Sequence, residues 1–246
     1  MESNRYTREE VLAIFQANYI QQQQFDPEVE LGEILTFETS IEEWRSICDL
    51  LPPRQIAEYF NYFFELNILV EEWITIIEPG DEKKLKVLCE FIALNATKPT
   101  IVPVKLFGAD CQSAATFKYL MKRFAEKGVQ VKSIKPSDFL EPFVIDNFGL
   151  LIEEVNKVNP SVLPPVNYKY NFFSNVGIIS FLIGLVVLIA SIWISNLSIV
   201  FVSLFAGSIM FTWIGAKLRP AKASFDGIHT FRDLVEKINE NKKQYA

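Results

Sequence analysis

Three cysteines and a single histidine are the side chains of this 246-residue chain best suited to covalent or metal chemistry. Cys111 is the best placed, because it follows the loop at residues 107–110 (FGAD) and precedes a helical pattern. A thiol at a helix N-terminus gains thiolate character from the helix dipole. A cysteine nucleophile also needs a base, commonly histidine, and His229 lies far along the chain. Cys111 is therefore a weak catalytic candidate, and a half-buried, unreactive thiol is the favoured interpretation.

Pairs of adjacent glutamates recur at residues 9–10, 42–43, 71–72 and 153–154. Di-metal carboxylate bundles combine glutamates with a Glu-x-x-His motif, which this sequence lacks. Solvated surface charge is the favoured interpretation of all four pairs. The sequence also has no phosphate-binding loop, dinucleotide fingerprint, HExxH or zinc-ligand spacing. We therefore predict neither a metal nor a cofactor, and the sequence leans against an enzyme.

The charge distribution argues against nucleic acid as a partner. Residues 217–246 carry seven Lys or Arg and four Asp or Glu, which leaves 17 basic and 26 acidic residues in the rest of the chain. An acidic domain is repelled by phosphate backbones. The odd, sparse cysteine set is typical of a reducing compartment, and the first ten residues have no apolar signal segment. These features predict a cytoplasmic domain.

Residues 170–216 form the longest uncharged stretch of the chain. A membrane-spanning helix needs about 20 apolar residues, so this stretch predicts two transmembrane helices, at 173–194 and 197–216, with a turn at residues 195–198. Basic residues flank both ends of the stretch and are missing from the turn, which by the positive-inside rule places both termini in the cytoplasm. The sequence thus predicts a multi-pass membrane protein with the lipid bilayer as a partner.

Small residues repeat along both predicted membrane helices and allow two backbones to approach closely. They are Gly177, Gly184 and Ser191 on the first helix and Ser203, Gly207, Ser208 and Thr212 on the second. Packing within the hairpin is the favoured interpretation, and self-association of the chain is the alternative. The hairpin contains no ionisable side chain of the kind that transport paths use.

The first 158 residues show a mostly helical pattern interrupted once. Thr7 and Glu10 form a capping box at the start of the first helix. Strand-like runs at residues 100–107 and 129–134 surround a helical pattern at 112–127, which predicts a small βαβ unit. Residues 159–170 contain three prolines and are predicted to form a stiff linker.

The C-terminal tail, residues 217–246, contains a short amphipathic helix predicted at 230–241. Its apolar face consists of Phe231, Leu234, Val235 and Ile238, at helical spacing. A helix of this length is marginal in isolation, so its face must dock. Docking on the N-terminal domain is favoured over the membrane surface or a separate partner.

The predicted fold class is therefore a mostly α domain with a small βαβ element (α+β), followed by a two-helix transmembrane hairpin and a C-terminal amphipathic helix. The favoured function is a membrane-anchored, cytoplasm-facing protein-interaction or scaffold module that binds a protein partner or forms a homo-oligomer. Two alternatives remain open. One is a membrane-tethered enzyme centred on residues 100–140 with Cys111, and the other is an accessory subunit of a larger membrane complex.

Overall fold

The structure is a computed structural model. It describes residues 4–26, 29, 32–48, 50–106, 108–191, 198–218 and 220–241. The chain divides into two compact units, which are described separately below. The larger unit comprises Met1–Leu140, Asn147–Val166 and Phe225–Ala246, and the smaller unit comprises Glu141–Asp146 and Asn167–Ser224.

The described part of the chain is mostly helical, in agreement with the predicted α+β class. The helices are α1 (Arg8–Gln22), α2 (Ile41–Ile47), α3 (Pro53–Phe64), α4 (Val70–Ile77), α5 (Leu85–Asn95), α6 (Gln112–Glu126), α7 (Glu141–Val158), α8 (Phe172–Ser191), α9 (Ser198–Lys217) and α10 (Phe231–Asn241). The strands are β1 (Val104–Leu106), β2 (Ala109–Cys111), β3 (Val166–Lys169) and β4 (Lys222–Phe225).

Helix α1 begins where local capping chemistry requires it to begin. The predicted capping box is confirmed, because the Thr7 hydroxyl accepts from the Glu10 amide at 3.2 Å while the Glu10 carboxylate accepts from the Thr7 amide at 3.0 Å. The buried face of α1 packs into an aromatic core in which Phe15 stacks on Trp44 and on Phe60, with ring centroids 5.0 and 5.7 Å apart. Burial of these large rings stabilises this part of the unit.

The aromatic stretch after Pro53 forms two helices, α3 and α4, and not one continuous helix. Helix α3 ends where Glu65 adopts a left-handed conformation, with φ of 56°. Asn61 then holds the intervening loop, since its side chain donates to the Ile68 carbonyl at 2.7 Å and accepts from Trp73 Nε1 at 2.9 Å. This side-chain bridge satisfies the Ile68 backbone groups, which a continuous helix would pair internally, and the Trp73 indole N–H.

The predicted βαβ unit is wrong. Strands β1 and β2 pair with each other in an antiparallel hairpin, with Val104 opposite Cys111 and Leu106 opposite Ala109. Gly108, at φ of +85°, lies in the connection, and a short connection with positive φ favours local antiparallel pairing. Residues 129–134 contain turns and no strand, because the chain leaves α6 through Gly128 at φ of +88°.

The smaller unit contains the long uncharged stretch as the α8–α9 helical hairpin. Asn171 anchors its open end, because its side chain donates to the Gly215 carbonyl at 2.8 Å and accepts from the Ser174 amide at 3.1 Å. Nearby, the Ala221 amide donates to the Lys169 carbonyl at 2.9 Å, next to the β3–β4 pair. Residues 192–197, which include most of the predicted turn, lie outside the described residues.

The predicted membrane topology is corrected. Within the described ranges, no helix combines the length and the apolar character that a membrane crossing requires. This finding contradicts the multi-pass membrane protein with both termini in the cytoplasm. The transmembrane helices predicted at 173–194 and 197–216 are observed as the helices α8 and α9 of a hairpin.

Candidate functional site

Cys111, the weak catalytic candidate, lies at the junction of β2 and α6 and is half-buried. His229 serves a structural role elsewhere in the same unit, where its amide donates to the Asp233 carboxylate at 3.0 Å and its carbonyl accepts from the Leu140 amide at 2.8 Å. In the described part of the chain, no hydrogen bond joins the Cys111 and His229 side chains, and no group of three or more His, Cys, Asp or Glu residues could hold a metal ion. Cys111 therefore stays a weak candidate, which the described residues do not pair with His229.

The apolar face of α10 is buried within the larger unit. Phe231, Leu234, Val235 and Ile238 are each at most 3% exposed. Helix α10 packs on α6, and polar contacts fix its position. Asn159 Nδ2 donates to the Ile238 carbonyl at 2.8 Å, and the Thr116 hydroxyl donates to the Asn239 side-chain oxygen at 3.0 Å. This face is thus part of the core of the unit.

Helices α8 and α9 approach most closely at two glycines near the open end of the hairpin. A Cβ atom on Gly177 would lie 2.8 Å from the Thr212 backbone nitrogen, and one on Gly215 would lie 2.6 Å from the Ser174 backbone nitrogen. Such distances leave no room for a methyl group, so both glycines are required for this packing. Sequence reasoning identified Gly177 and Thr212 but missed Gly215 and Ser174.

The other small residues predicted to pack in the hairpin have different surroundings. A Cβ atom on Gly184 would make an ordinary contact with Leu204 at 3.7 Å, and Gly207 faces open space. Ser208 is buried and its hydroxyl donates to the Phe205 carbonyl at 2.8 Å, while Ser203 is exposed. The Ser191 side chain lies outside the described residues.

The outward faces of the α8–α9 hairpin are apolar and exposed. Phe172 is 73% exposed, Val186 66%, Ile189 64%, Val202 61% and Trp213 59%. Further exposed apolar side chains lie between them along both helices. Contiguous apolar surface of this kind is uncommon on isolated proteins and marks sites of interaction.

One acidic pair, Glu153 and Glu154, has an environment that the sequence did not predict. Glu154 is fully buried and accepts hydrogen bonds from Arg123 Nε and Lys157 Nζ, both at 2.8 Å. Burial acts to raise the pKa of Glu154, but the hydrogen bonds from Arg123 and Lys157 outweigh it and hold the pKa below its usual range. The expectation of solvated surface charge is wrong for this residue. The sequence does contain a signal for this burial, because the helical spacing of the apolar residues Leu151 and Val158 places position 154 on the same buried face.

Glu153, by contrast, lines a pocket of about 370 Å³ in the larger unit. Helices α1, α2, α3 and α7 and the loop after α2 supply its walls, and most of the lining side chains are aromatic or aliphatic, among them Phe25, Trp44, Leu51, Tyr59, Phe63 and Phe148. Polar side chains in the lining include those of Asn18, Gln21, Gln22 and Glu153, and Tyr59 carries a phenol group. Gln21 is occupied structurally, because it donates to the Pro164 carbonyl and accepts from the Val166 amide, both at 3.0 Å.

A pocket with mostly apolar walls and a few polar groups at defined positions is typical of ligand sites. Burial raises the pKa of the Glu153 carboxyl group, against the opposing charges of Lys157 and Lys127. Burial also raises the pKa of the Cys48 thiol in the pocket wall to about 12, so this cysteine is an inert part of the lining. Sequence reasoning did not detect this pocket, because its walls come from segments that are distant in the chain.

No protein-family model, curated protein or solved structure matches this chain. The pocket and the apolar hairpin are therefore interpreted from their own geometry and chemistry.

Proposed function

We propose that this chain is a protein-interaction module that assembles through the outward faces of the α8–α9 hairpin. The single observation that carries the proposal is the run of exposed apolar side chains along both helices, from Phe172 to Val186 on α8 and from Val202 to Trp213 on α9. Apolar surface removed from water stabilises an interface by roughly 25 cal/mol per Å². Val186 and Val202 lie among the most exposed of these side chains and are suited to an apolar interface core.

The packing of the hairpin supports this role. Gly177 and Gly215 bring the two backbones together, and the Asn171 side chain ties the start of α8 to the end of α9. A surface that is already ordered loses less conformational freedom when it docks than a flexible segment does. The proposed occupant is a second copy of this chain or an apolar surface of a partner protein, and a permanent partner would make this chain an accessory subunit.

The test is native mass spectrometry of the full-length chain, purified gently with a tag, in three forms. The unmodified chain is expected to give a homo-oligomer or a stoichiometric complex. Val186→Lys places a charge on the proposed interface and is expected to abolish that species. Val102→Lys is the matched control, because Val102 is 70% exposed and lies in the larger unit, whereas Val186 is 66% exposed.

A monomer without a partner contradicts the proposal, and so does a complex that survives Val186→Lys unchanged. A complex lost equally in both variants shows that the added charge, and not its position, is responsible, which also contradicts the proposal.

A further inference from the structure

The pocket in the larger unit has a combination of lining groups that the proposed interaction at the hairpin does not use. Apolar and aromatic side chains form most of its walls, and Glu153 is the acidic residue of its lining. Its volume of about 370 Å³ falls within the range of small-molecule sites, which is about 300–1,000 Å³. A ligand of this pocket must therefore have an apolar body. The charge and hydrogen-bonding groups of the ligand must in turn match Glu153.

Within the described residues, no lysine or arginine nitrogen lies within ion-pairing distance of Glu153. Lys157 Nζ is engaged by Glu154 at 2.8 Å, and Lys127 Nζ lies over the Tyr62 ring, 3.7 Å from its centroid. Both lysines stay close enough to act on Glu153 through their charge. The Glu153 carboxylate thus lies at a partly desolvated position without a direct cationic partner, which is an unfavourable arrangement for an anion.

Tyr59 and two amide side chains complete the polar part of the pocket. Burial, and after it the negative charge of Glu153, raises the pKa of Tyr59, which places the phenol and the carboxylate within electrostatic reach of each other. Asn18 also lines the pocket, and its Oδ1 accepts from Asn156 Nδ2 at 2.9 Å, which leaves a second lone pair on that oxygen. Gln22 is a further polar residue of the lining.

We infer that this pocket binds a small organic amine, with its aromatic or branched aliphatic body among the pocket rings and its ammonium group at Glu153. The ammonium ion supplies the charge and the hydrogen-bond donors that this carboxylate lacks. The rings of Phe25, Tyr59 and Phe148 add favourable contacts to the part of the ligand next to the cation.

Gly149 offers a direct way to close the pocket. It lines the pocket within α7, and a Cβ atom placed on it meets nothing within 4 Å. Gly149→Leu therefore fills the pocket without a backbone clash, and Gly149→Ala is its control because a single methyl group leaves most of the volume open. Leu51→Trp is a second blocking variant, since Leu51 lines the same pocket and is 56% exposed.

The experiment is calorimetric titration of the full-length chain with three matched probes, 3-phenylpropylamine, 3-phenylpropan-1-ol and 3-phenylpropanoate. We expect the amine to bind most tightly and the carboxylate most weakly. Glu153→Gln is expected to weaken binding of the amine roughly tenfold, as loss of a charged hydrogen-bond partner does, and to leave binding of the alcohol within about twofold. Both blocking variants are expected to abolish binding of all three probes, and Gly149→Ala to retain it.

Three results overturn the inference. The first is no binding of the amine at about 10 mM, since a ligand of this size in a matched pocket reaches millimolar affinity or better. The second is equal binding of the three probes or an unchanged amine affinity in Glu153→Gln, which means that the carboxylate does not select the ligand. The third is binding that survives the blocking variants, which places the probe elsewhere. None of these results bears on the assembly proposed for the hairpin.

Discussion

Replacing Glu154 with glutamine tests how the buried charges of the larger unit are balanced. Glu154 accepts two hydrogen bonds at 2.8 Å, from Arg123 Nε and Lys157 Nζ, and a longer one at 3.4 Å from Arg123 Nη2. A glutamine amide carries no charge, and its NH₂ group must face one of these donors. The Lys157 side chain is 5% exposed, so its ammonium group is left in the interior without its anion.

The expected cost follows from these contacts. Removal of one partner from a buried ion pair costs about 3–5 kcal/mol. Arg123 keeps Glu65 and Glu126 as partners and is 15% exposed, so the lower end of the range applies. We expect Glu154→Gln to lower the free energy of unfolding by about 3 kcal/mol, a large part of the 5–15 kcal/mol typical of a folded domain.

The assay is urea-induced unfolding followed by tryptophan fluorescence, since Trp44 and Trp73 are both buried in the larger unit. Glu126→Gln is the matched control, because it removes a different carboxylate from the same arginine, 3.1 Å from Arg123 Nη1 and 44% exposed. An exposed partner contributes at most about 1 kcal/mol. A loss below about 1 kcal/mol for Glu154→Gln, or equal losses for the two variants, refutes the reasoning.

Three further predictions concern pH, helix packing and thiol reactivity. The folded-state pKa of Glu154 lies below its usual range, so the stability that Glu154 contributes is present at neutral pH and is lost as the pH falls through that pKa. Glu154→Gln should therefore reduce the loss of stability in acid, measured by urea titrations at several pH values. An unchanged dependence of stability on pH contradicts the lowered pKa of Glu154. Gly177→Ala should destabilise the packing of the hairpin by roughly 1–3 kcal/mol, which is measured as faster amide hydrogen exchange in α8 and α9. Gly207→Ala is the control, because a Cβ atom at Gly207 meets open space, and it should leave exchange unchanged or slower. Similar exchange rates in the two variants argue against close packing at Gly177. A thiol reagent should modify Cys111 in the folded state. Cys48, whose pKa is raised to about 12 by burial, should react only when the chain unfolds. Modification of Cys111 far faster than that of an ordinary exposed thiol would support the enzyme hypothesis.

The candidate sites could be predicted from the sequence only where one segment contains the whole signal. The spacing of small residues identified Gly177 and Thr212, which meet across the hairpin, but missed the second close approach, between Gly215 and Ser174, because the pairing of positions depends on the relative rotation of the two helices. The amphipathic face of α10 was likewise readable from one segment, whereas its packing on α6 depends on the tertiary fold. The pocket had no local signal, because α1, α3 and α7 each contribute only part of its lining.

The sequence by itself determined the features that depend on neighbouring residues. The capping box at Thr7, the start of α3 at Pro53 and the mostly helical character follow from backbone and side-chain chemistry within a few residues. Hydropathy alone also suggested membrane spans, a prediction that the described helices contradict. The tertiary structure decided what depends on residues far apart in the chain: the antiparallel pairing of β1 with β2 in place of a βαβ unit, and the environments of the adjacent residues Glu153 and Glu154. Glu153 lines a pocket, whereas Glu154 is buried in an ion pair with Arg123. Helical geometry points neighbouring side chains in different directions. The packing of the other helices then determines the environment of each side chain.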